Sequence, residues 1–376
     1  MSVPLSKPPL MPNDNIYYNV EFVNKDQTRP AVPIQFNEKS SYPIVEEPDK
    51  YKLAVTRFSL PGEFIPIMIW NPDGGALTGA PDQDWNPQTN PGSKVKKFEV
   101  AMEFGGTVIR KYLEAPVNST NTNYLYNSPV VWNYKEFVDV FNQALADAFT
   151  DLKALEPLAP PTQAPFVEFD AKTRLCTLYA PTDYNTGGPL DPAPPPPTIQ
   201  VYMNLNLYEL FPSWNTLEET IAGELLYRFN VNFSGTNNVT IGGNPFLAIE
   251  QEFSTLALWN DFETIVFETG TIPVNPEYNP TDNNNAVTRT LVTDFLPPEQ
   301  LNSRDQIQYN GVGWKRFVDL NSSFPLRDIN VNALWETTWG DRYPVYMGYN
   351  ENFSMKLLFR KKLGLQLEEA YDSYDD

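Results

Sequence analysis

The chain has no histidine and only one cysteine, Cys176, among its 376 residues. These two residue types supply most of the general bases, covalent nucleophiles and zinc or haem ligands that work near neutral pH. Asp, Glu, Lys, Ser and Tyr replace them only in strongly perturbed environments. The near absence of both types argues against an enzyme, and we predict no catalytic, cofactor-binding or metal-binding residues. Composition thus favours a structural or binding protein.

Long apolar runs are also missing. The longest, residues 64–70, is much shorter than a membrane span, and residues 1–15 hold no signal-peptide core, so we expect no membrane span. A single cysteine excludes an internal disulfide, and we expect synthesis in a reducing compartment. Five Asn-x-Ser/Thr sequences are therefore expected to be chance matches rather than glycosylation sites. They begin at Asn118, Asn232, Asn238, Asn321 and Asn352.

Basic clusters are scarce as well. The formal net charge is -20, and the densest basic run, Arg360-Lys361-Lys362, is too short to neutralise a phosphate backbone. An acidic tail follows at residues 363–376, and phosphate would repel it. We predict no direct contact with nucleic acid.

Proline and aromatic residues are abundant. The 36 prolines must occupy loops and sheet edges, because proline disrupts helices and central strands, and the 14% aromatic share favours strands and interfaces. We interpret residues 157–165 and 189–197 as extended Pro-rich connectors. The length exceeds that of a usual single core, which predicts two packed units or one sandwich with long insertions. The expected fold class is mainly β.

Apolar and polar residues alternate with a period of two in four segments, which predicts half-buried strands at 98–104, 199–207, 225–231 and 353–359. In segment 51–60 the alternation changes phase at Arg57, so we predict a β-bulge there. The pair Asn310-Gly311 between apolar runs predicts a hairpin turn.

One long amphipathic helix is predicted after Asn133. This residue can cap a helix, Glu136 follows three positions later, and the apolar residues through Leu152 fall on one face. A second, shorter helix over 217–226 would overlap the strand predicted at 225–231, and its boundary stays open.

Candidate chemistry is sparse. The adjacent residues Glu218 and Glu219 would diverge in either a helix or a strand, which disfavours a carboxylate-pair hydrolase. Aromatic residues crowd the C-terminal quarter, where they favour core and subunit contacts over a ligand cage. They are Trp314, Trp335, Trp339, Tyr343 and Tyr346.

Several strand and turn patterns resemble virion proteins of polinton-like viruses, virophages and adintoviruses. The patterns are Ile16-Tyr17-Tyr18-Asn19-Val20, Tyr51-Lys52-Leu53-Ala54-Val55-Thr56-Arg57-Phe58, Tyr202-Met203-Asn204 with Leu207-Tyr208-Glu209-Leu210-Phe211, Trp259-Asn260 before Thr264-Ile265-Val266-Phe267, Ile272-Pro273-Val274 and Phe353-Ser354-Met355-Lys356-Leu357-Leu358-Phe359. They are spread over most of the chain, and none is a catalytic signature.

The resemblance implies a penton-type capsid protein that is assembled inside the host cell and located in the virion. Such a protein is a jelly-roll β-sandwich whose homopentamer closes a vertex beside a double-jelly-roll major capsid protein. We then expect an extended arm at 1–15, a jelly-roll base from 16–115 plus 255–362, an insertion at 116–254 with the helix and long loops, and an acidic tail at 363–376. The expected subunit-contact residues are Ile16, Tyr17, Tyr18, Arg57, Phe58, Trp314 and Trp335.

Three other functions stay open at this point. A minor capsid or fibre-like attachment protein of the same virion would share these patterns. A carbohydrate-binding jelly roll would stack sugars on Trp and Tyr. A carboxylate-dependent hydrolase ranks last.

Overall fold

A computed structural model describes residues 15–70, 97–114, 130–159, 163–184, 198–230, 237–279, 287–296, 306–311, 315–338 and 340–362. The fold is mainly β, as predicted. The described strands are, in chain order, β1 (Asn15–Val23), β2 (Ala31–Pro33), β3 (Gln35–Lys39), β4 (Tyr51–Pro61), β5 (Met68–Ile69), β6 (Glu99–Phe104), β7 (Thr107–Tyr112), β8 (Val130–Val131), β9 (Phe166–Asp170), β10 (Leu175–Pro181), β11 (Gln200–Met203), β12 (Thr216–Ile221), β13 (Glu224–Phe229), β14 (Asn237–Ile241), β15 (Asn244–Glu250), β16 (Phe262–Glu268), β17 (Glu277–Asn279), β18 (Val287–Arg289), β19 (Leu291–Phe295), β20 (Gln306–Asn310), β21 (Val318–Asp319), β22 (Asp328–Thr337), β23 (Arg342–Pro344), β24 (Tyr346–Gly348) and β25 (Asn352–Lys361). The described helices are α1 (Tyr134–Leu155), α2 (Leu205–Leu210) and the short 3-10 helices at Pro48–Lys50, Thr182–Tyr184 and Leu256–Trp259.

The chain divides into two compact units. Unit 1 joins Met1–Ile65 to Phe262–Asp376, and unit 2 is the segment Pro66–Asp261 between them. We had expected residues 66–115 and 255–261 in the base, but they belong to unit 2. For the first of these segments the reason is strand pairing, because β6 pairs with β11, which follows it by about a hundred residues.

Unit 1 is a jelly roll. Sheet A has the order β1-β25-β4-β20, with β21 also paired to β4, and sheet B has the order β19-β16-β22-β23, with β3 also paired to β22. Eight of these strands have five or more residues. Numbered along the chain, these eight read 1-8-3-6 in sheet A and 2-7-4-5 in sheet B. This interleaving of two antiparallel sheets is a jelly-roll topology, and unit 2 is the connection between its third and fourth strands.

Aromatic side chains fill the space between sheets A and B. Phe58 on β4 makes an edge-to-face contact with Phe267 on β16, with 4.9 Å between ring centroids, and Phe353 on β25 stacks on the same ring at 6.1 Å. The alternation predicted for 353–359 is confirmed: Phe353, Met355, Leu357 and Phe359 are buried, whereas Ser354 and Lys356 are half-buried on the opposite face. Leu358 is buried as well.

The predicted bulge in β4 is confirmed. Lys356 of β25 pairs with Arg57, but the next residue, Leu357, pairs with Val55, so Thr56 is the extra residue. Its hydroxyl donates a hydrogen bond to the Lys356 carbonyl oxygen at 3.1 Å. The bulge lets Val55 and Phe58 both face the core, although their spacing breaks the period of two.

The predicted hairpin at Asn310-Gly311 is wrong. Strand β20 and the later strand β21 both pair with β4, one after the other, rather than with each other. The Gly311 amide donates to the Thr56 carbonyl at 2.9 Å, so this glycine extends the pairing at the bulge. A Cβ at position 311 would lie 2.9 Å from the Tyr309 hydroxyl, which explains the need for glycine without a turn.

Unit 2 is built around helix α1. As predicted, the Asn133 side chain caps it by accepting from the Glu136 amide at 2.9 Å, and Glu136 reaches back to the Trp132 amide at 2.7 Å. The apolar face packs on strands β6, β7, β8 and β9. Around it lie a five-stranded sheet C, of order β12-β13-β11-β6-β7, and a four-stranded sheet D, of order β14-β15-β10-β9.

Two local predictions in unit 2 are wrong. The strand expected over 199–207 ends at Met203, because the Asn204 side chain accepts from the Leu207 amide at 3.1 Å and starts helix α2. The short helix expected over 217–226 is instead the hairpin β12-β13, in which Ala222 and Gly223 both adopt positive φ. The strand predicted at 225–231 is confirmed as β13.

Candidate assembly surface

Sheet A presents an outer face, turned away from sheet B, at which two of the predicted contact residues lie. Tyr17 of β1 pairs with Leu358, and Arg57 of β4 pairs with Lys356, so strand β25 separates Tyr17 from Arg57. Tyr17 is 56% exposed, and the Arg57 side chain is exposed too. Both side chains are therefore available to a neighbour.

The other residues predicted on β1 belong to its opposite face. Ile16 and Tyr18 alternate with Tyr17 and are half-buried. The Tyr18 hydroxyl donates to Glu38 of β3 at 2.6 Å, and burial together with this carboxylate raises the pKa of Tyr18. Tyr18 thus links the edge of sheet A to sheet B.

Two further predicted contact residues, Phe58 and Trp335, are not surface residues of this subunit. Phe58 is 3% exposed and Trp335 is fully buried, where it packs against Phe262 and Tyr343. Both fill the core of unit 1. Trp314 lies outside the described residues, as do Trp339, residues 1–14 of the expected arm and the expected tail.

Strand β1 forms one edge of sheet A. It pairs with β25 on one side, and among the described residues no strand pairs with its other side. An open edge offers backbone donors and acceptors to a further strand. The exposed residues Tyr17, Asn19, Glu21 and Val23 point to one face of this edge strand.

Two like-charge pairs occupy the same outer face, and sequence reasoning did not find them. Arg57 lies directly opposite Lys356, and Lys52 lies directly opposite Arg360. Like charges in this position destabilise a sheet. Two rings partly offset this: Lys356 lies 4.8 Å from the Tyr17 centroid, and Arg360 lies 5.0 Å from the Phe317 centroid. We call Lys52, Arg57, Lys356 and Arg360 the basic face.

Sheet C carries several carboxylates that are candidates for acid-base chemistry. Glu99 is 5% exposed, and burial raises its pKa to about 7 although Arg110, 3.5 Å away, opposes this. Arg110 also pairs with Glu224. With so little of Glu99 exposed, a substrate would have no access to it in this conformation, so the arrangement fits a structural ion pair.

The adjacent carboxylates Glu218 and Glu219 diverge, as predicted. Glu219 pairs with Arg228 at 2.8 Å and lies 3.2 Å from the Tyr202 hydroxyl, whereas Glu218 is exposed. The Tyr202 hydroxyl also donates to Glu103 at 2.9 Å. Burial and these carboxylates raise the pKa of Tyr202, which keeps its proton. The pair Glu218-Glu219 therefore does not face a common substrate.

Metal and thiol chemistry have little support in the described ranges. No group of three or more Cys, Asp or Glu side chains there could hold a metal ion. Burial raises the pKa of the Cys176 thiol to about 12, so the reactive thiolate is not formed near neutral pH.

Neither α1 nor α2 is long and apolar enough to cross a membrane.

One family of known proteins matches most of the chain. A family model for the Sputnik minor capsid protein V18/19 matches residues 16–361. Structural protein V19 of the Sputnik virophage is 28% identical in an alignment of length 182 that covers 44% of this chain and 82% of that protein. Protein V18 of the same virophage is 26% identical in an alignment of length 158 that covers 38% of this chain and 86% of that protein.

Two solved structures share the fold. A chain of the Sputnik virophage, determined by electron cryomicroscopy, matches with a TM-score of 0.71 and 24% identity over 93% of this chain and 98% of that one. The crystal structure of the mavirus penton protein matches with a TM-score of 0.67 and 14% identity over 93% and 99%. Both units of the fold are thus included in each match.

Proposed function

We propose that this chain, which belongs to the family of the Sputnik minor capsid protein V18/19 and is thus a structural protein of a virion capsid, forms the pentameric penton of an icosahedral shell. The observation that carries this proposal is the similarity to the mavirus penton protein over 93% of this chain, which includes the jelly roll and the inserted unit together. A jelly roll with a second unit between its third and fourth strands is a specific architecture.

The assembly role accounts for the chemistry of the molecule. A capsid subunit needs sheets, edges and exposed aromatic contacts, and it needs neither a reactive thiol nor an accessible acid-base pair. The buried states of Glu99 and Cys176 are consistent with a protein that has no enzymatic activity. We propose that partner copies and a double-jelly-roll major capsid protein surround it.

Contact between copies is proposed along the open edge of β1. Tyr17 is the exposed aromatic residue on this strand, and aromatic residues are enriched at interface centres. Phe58 and Trp335, which we expected at a subunit contact, would instead support the interface from the core. Arg57 belongs to the basic face.

Native mass spectrometry of the purified full chain tests the oligomer. A pentamer has five times 42.8 kDa, or about 214 kDa. The variant Tyr17→Ser is expected to raise the dissociation constant of each contact between neighbouring copies at least about tenfold, as for a contact worth roughly 1.4 kcal/mol, so the pentamer should dissociate at a higher protein concentration. The matched control, exposed Tyr42→Ser, should leave this constant unchanged. A strict monomer at all concentrations contradicts the pentamer.

An attachment role in the same virion is the second candidate. An attachment protein of this kind would form trimers in solution and would give density outside the shell in images of the virion. The carbohydrate-binding alternative loses one of its expected stacking residues, since Trp335 is fully buried. A glycan array on the full chain, with no binding expected, checks it.

A further inference from the structure

We propose that the basic face of sheet A binds the acidic C-terminal tail of the same subunit, residues 363–376. The face holds Lys52, Arg57, Lys356 and Arg360 in two directly opposed like-charge pairs. Such a concentration of cations is unusual in a chain with a net charge of -20. An anionic partner would convert a repulsive arrangement into a favourable one.

Three cations of this face, Arg57, Lys356 and Arg360, have little local compensation, whereas Lys52 lies opposite Asp319 of β21. Among the described residues, no carboxylate lies within 4 Å of the Arg57, Lys356 or Arg360 side chains, whereas other arginines in unit 1, such as Arg316 and Arg342, pair with two carboxylates each. Tyr17 and Phe317 contact the basic face through their rings instead. Described carboxylates therefore leave the charges of Arg57, Lys356 and Arg360 without an ion pair.

The tail has the matching chemistry. Residues 363–376 contain no Lys or Arg, and they hold five carboxylates: Glu368, Glu369, Asp372, Asp375 and Asp376. A phosphate backbone is the other polyanion such a face could bind, but the overall charge of the chain opposes it at long range. The tail is covalently attached, so its effective concentration is in the millimolar range.

The geometry permits docking within one subunit. The amide of Lys362 donates to the Lys50 carbonyl at 2.7 Å, so the chain leaves sheet A beside the Lys52–Arg360 pair. Residues 363–367 span roughly 16–18 Å when extended. Lys356 lies four positions back along β25 from Arg360, a distance of roughly 13 Å. The first acidic residues of the tail can therefore reach both cation pairs.

Zero-length carbodiimide cross-linking of the full chain tests this proposal. The reagent joins lysine amines to carboxylates in direct contact. The sample is an equal mixture of ¹⁴N- and ¹⁵N-labelled protein that is unfolded and refolded together, so that any oligomer holds both labels. Peptide mass spectrometry is expected to find Lys52 and Lys356 joined to Glu368, Glu369 or Asp372, with both peptides carrying the same label. Raising the salt to 1 M, where screening acts over about 3 Å, should lower the yield at least about threefold.

A pair of variants separates docking from chance proximity. Arg57→Gln with Arg360→Gln keeps both lysines but removes half of the cations, so the cross-link yield should fall at least about threefold. The matched control, Arg29→Gln with Arg327→Gln, removes the same charge from exposed positions outside sheet A and should leave the yield unchanged. Far-UV circular dichroism checks that each variant is folded.

Four results would overturn the proposal. They are tail cross-links spread equally over other exposed lysines such as Lys39, a yield that the double variant leaves unchanged, pairs that mostly mix the two labels, and retention of duplex DNA that the double variant abolishes. The last result would assign the basic face to nucleic acid. None of these results depends on the pentamer, so this proposal and the proposed function fail separately.

Discussion

Phe58 and Phe267 make an edge-to-face contact between sheets A and B, with 4.9 Å between their ring centroids. Phe58 also contacts Phe295 at 4.8 Å and stacks on Tyr309 at 5.7 Å. One side chain of sheet A therefore packs against two strands of sheet B and one neighbour in its own sheet. The packing depends on the bulge at Thr56, which turns Phe58 to the core.

The variant Phe58→Ala is expected to lower the free energy of unfolding of unit 1 by about 3–5 kcal/mol, because it removes a buried ring and leaves a cavity. Urea denaturation followed by tryptophan fluorescence measures this. The matched control Tyr42→Ala, an exposed aromatic residue outside the proposed contact, should cost less than about 1 kcal/mol. Equal costs would place Phe58 at the surface.

Leu357 is fully buried on the inner face of β25. Leu357→Asp puts an unpaired charge in the core, so we expect a loss of roughly 4 kcal/mol or more and little soluble protein. Asn352→Asp, at the exposed start of the same strand, should change stability by no more than about 0.5 kcal/mol. A soluble, fully assembled Leu357→Asp protein would refute the assignment of this face.

Gly311 closes the β4 bulge through its amide. Gly311→Ala brings a methyl group to 2.9 Å from the Tyr309 hydroxyl and 3.1 Å from the Thr56 carbonyl oxygen. The Thr56 carbonyl belongs to the paired backbone of β4, so it cannot easily move away. We expect a loss of about 1–3 kcal/mol in thermal or urea unfolding. Gly270→Ala is the control, because its nearest atom would be 3.9 Å away. A neutral Gly311→Ala would mean that the strand relaxes freely.

Glu99 makes the stability of unit 2 depend on pH. Its folded pKa of about 7 lies above the ordinary value of 4.5, so its contribution is complete below pH 4.5 and is lost as the pH rises through 7. Because of this group, the free energy of unfolding of unit 2 should be up to about 3 kcal/mol lower at pH 8 than at pH 4.5.

The variant Glu99→Gln should flatten this dependence and be the more stable protein at pH 8. Urea midpoints at several pH values between 4.5 and 8 measure it. Glu218→Gln, an exposed glutamate on the same sheet, should keep the wild-type slope. A wild-type chain whose stability rises toward pH 8, with Glu99→Gln unchanged, would show that burial does not govern this carboxylate.

Local sequence patterns predicted an element correctly where a single physical rule determines its conformation. The alternation in 353–359, the phase change at Arg57 and the cap at Asn133 each correspond to an observed element. Where two rules compete, the prediction was wrong. The apolar positions Leu205 and Leu207 fit a strand as well as a helix, and only the hydrogen bond from the Leu207 amide to Asn204 decides for the helix. In 217–226 the strong helix formers lose to pairing with β13.

The assembly surface was harder to predict because it arises from pairing between distant segments. Nothing local to Arg57 indicates that Lys356 lies opposite, since about three hundred residues separate them and the bulge sets the register. Burial of Phe58 and Trp335 follows from the same long-range packing, and an aromatic residue in a strand suits a core as well as an interface. The clustering of charge on the outer face could therefore be found only in the folded structure.

The central claim is that this chain forms the vertex of a capsid, and electron cryomicroscopy of intact virions tests it most directly. We expect five-fold density at each vertex into which five copies of the unit 1 jelly roll fit, one per asymmetric position. Vertices built from another protein, with this chain located elsewhere in the particle or missing from it, would contradict the account.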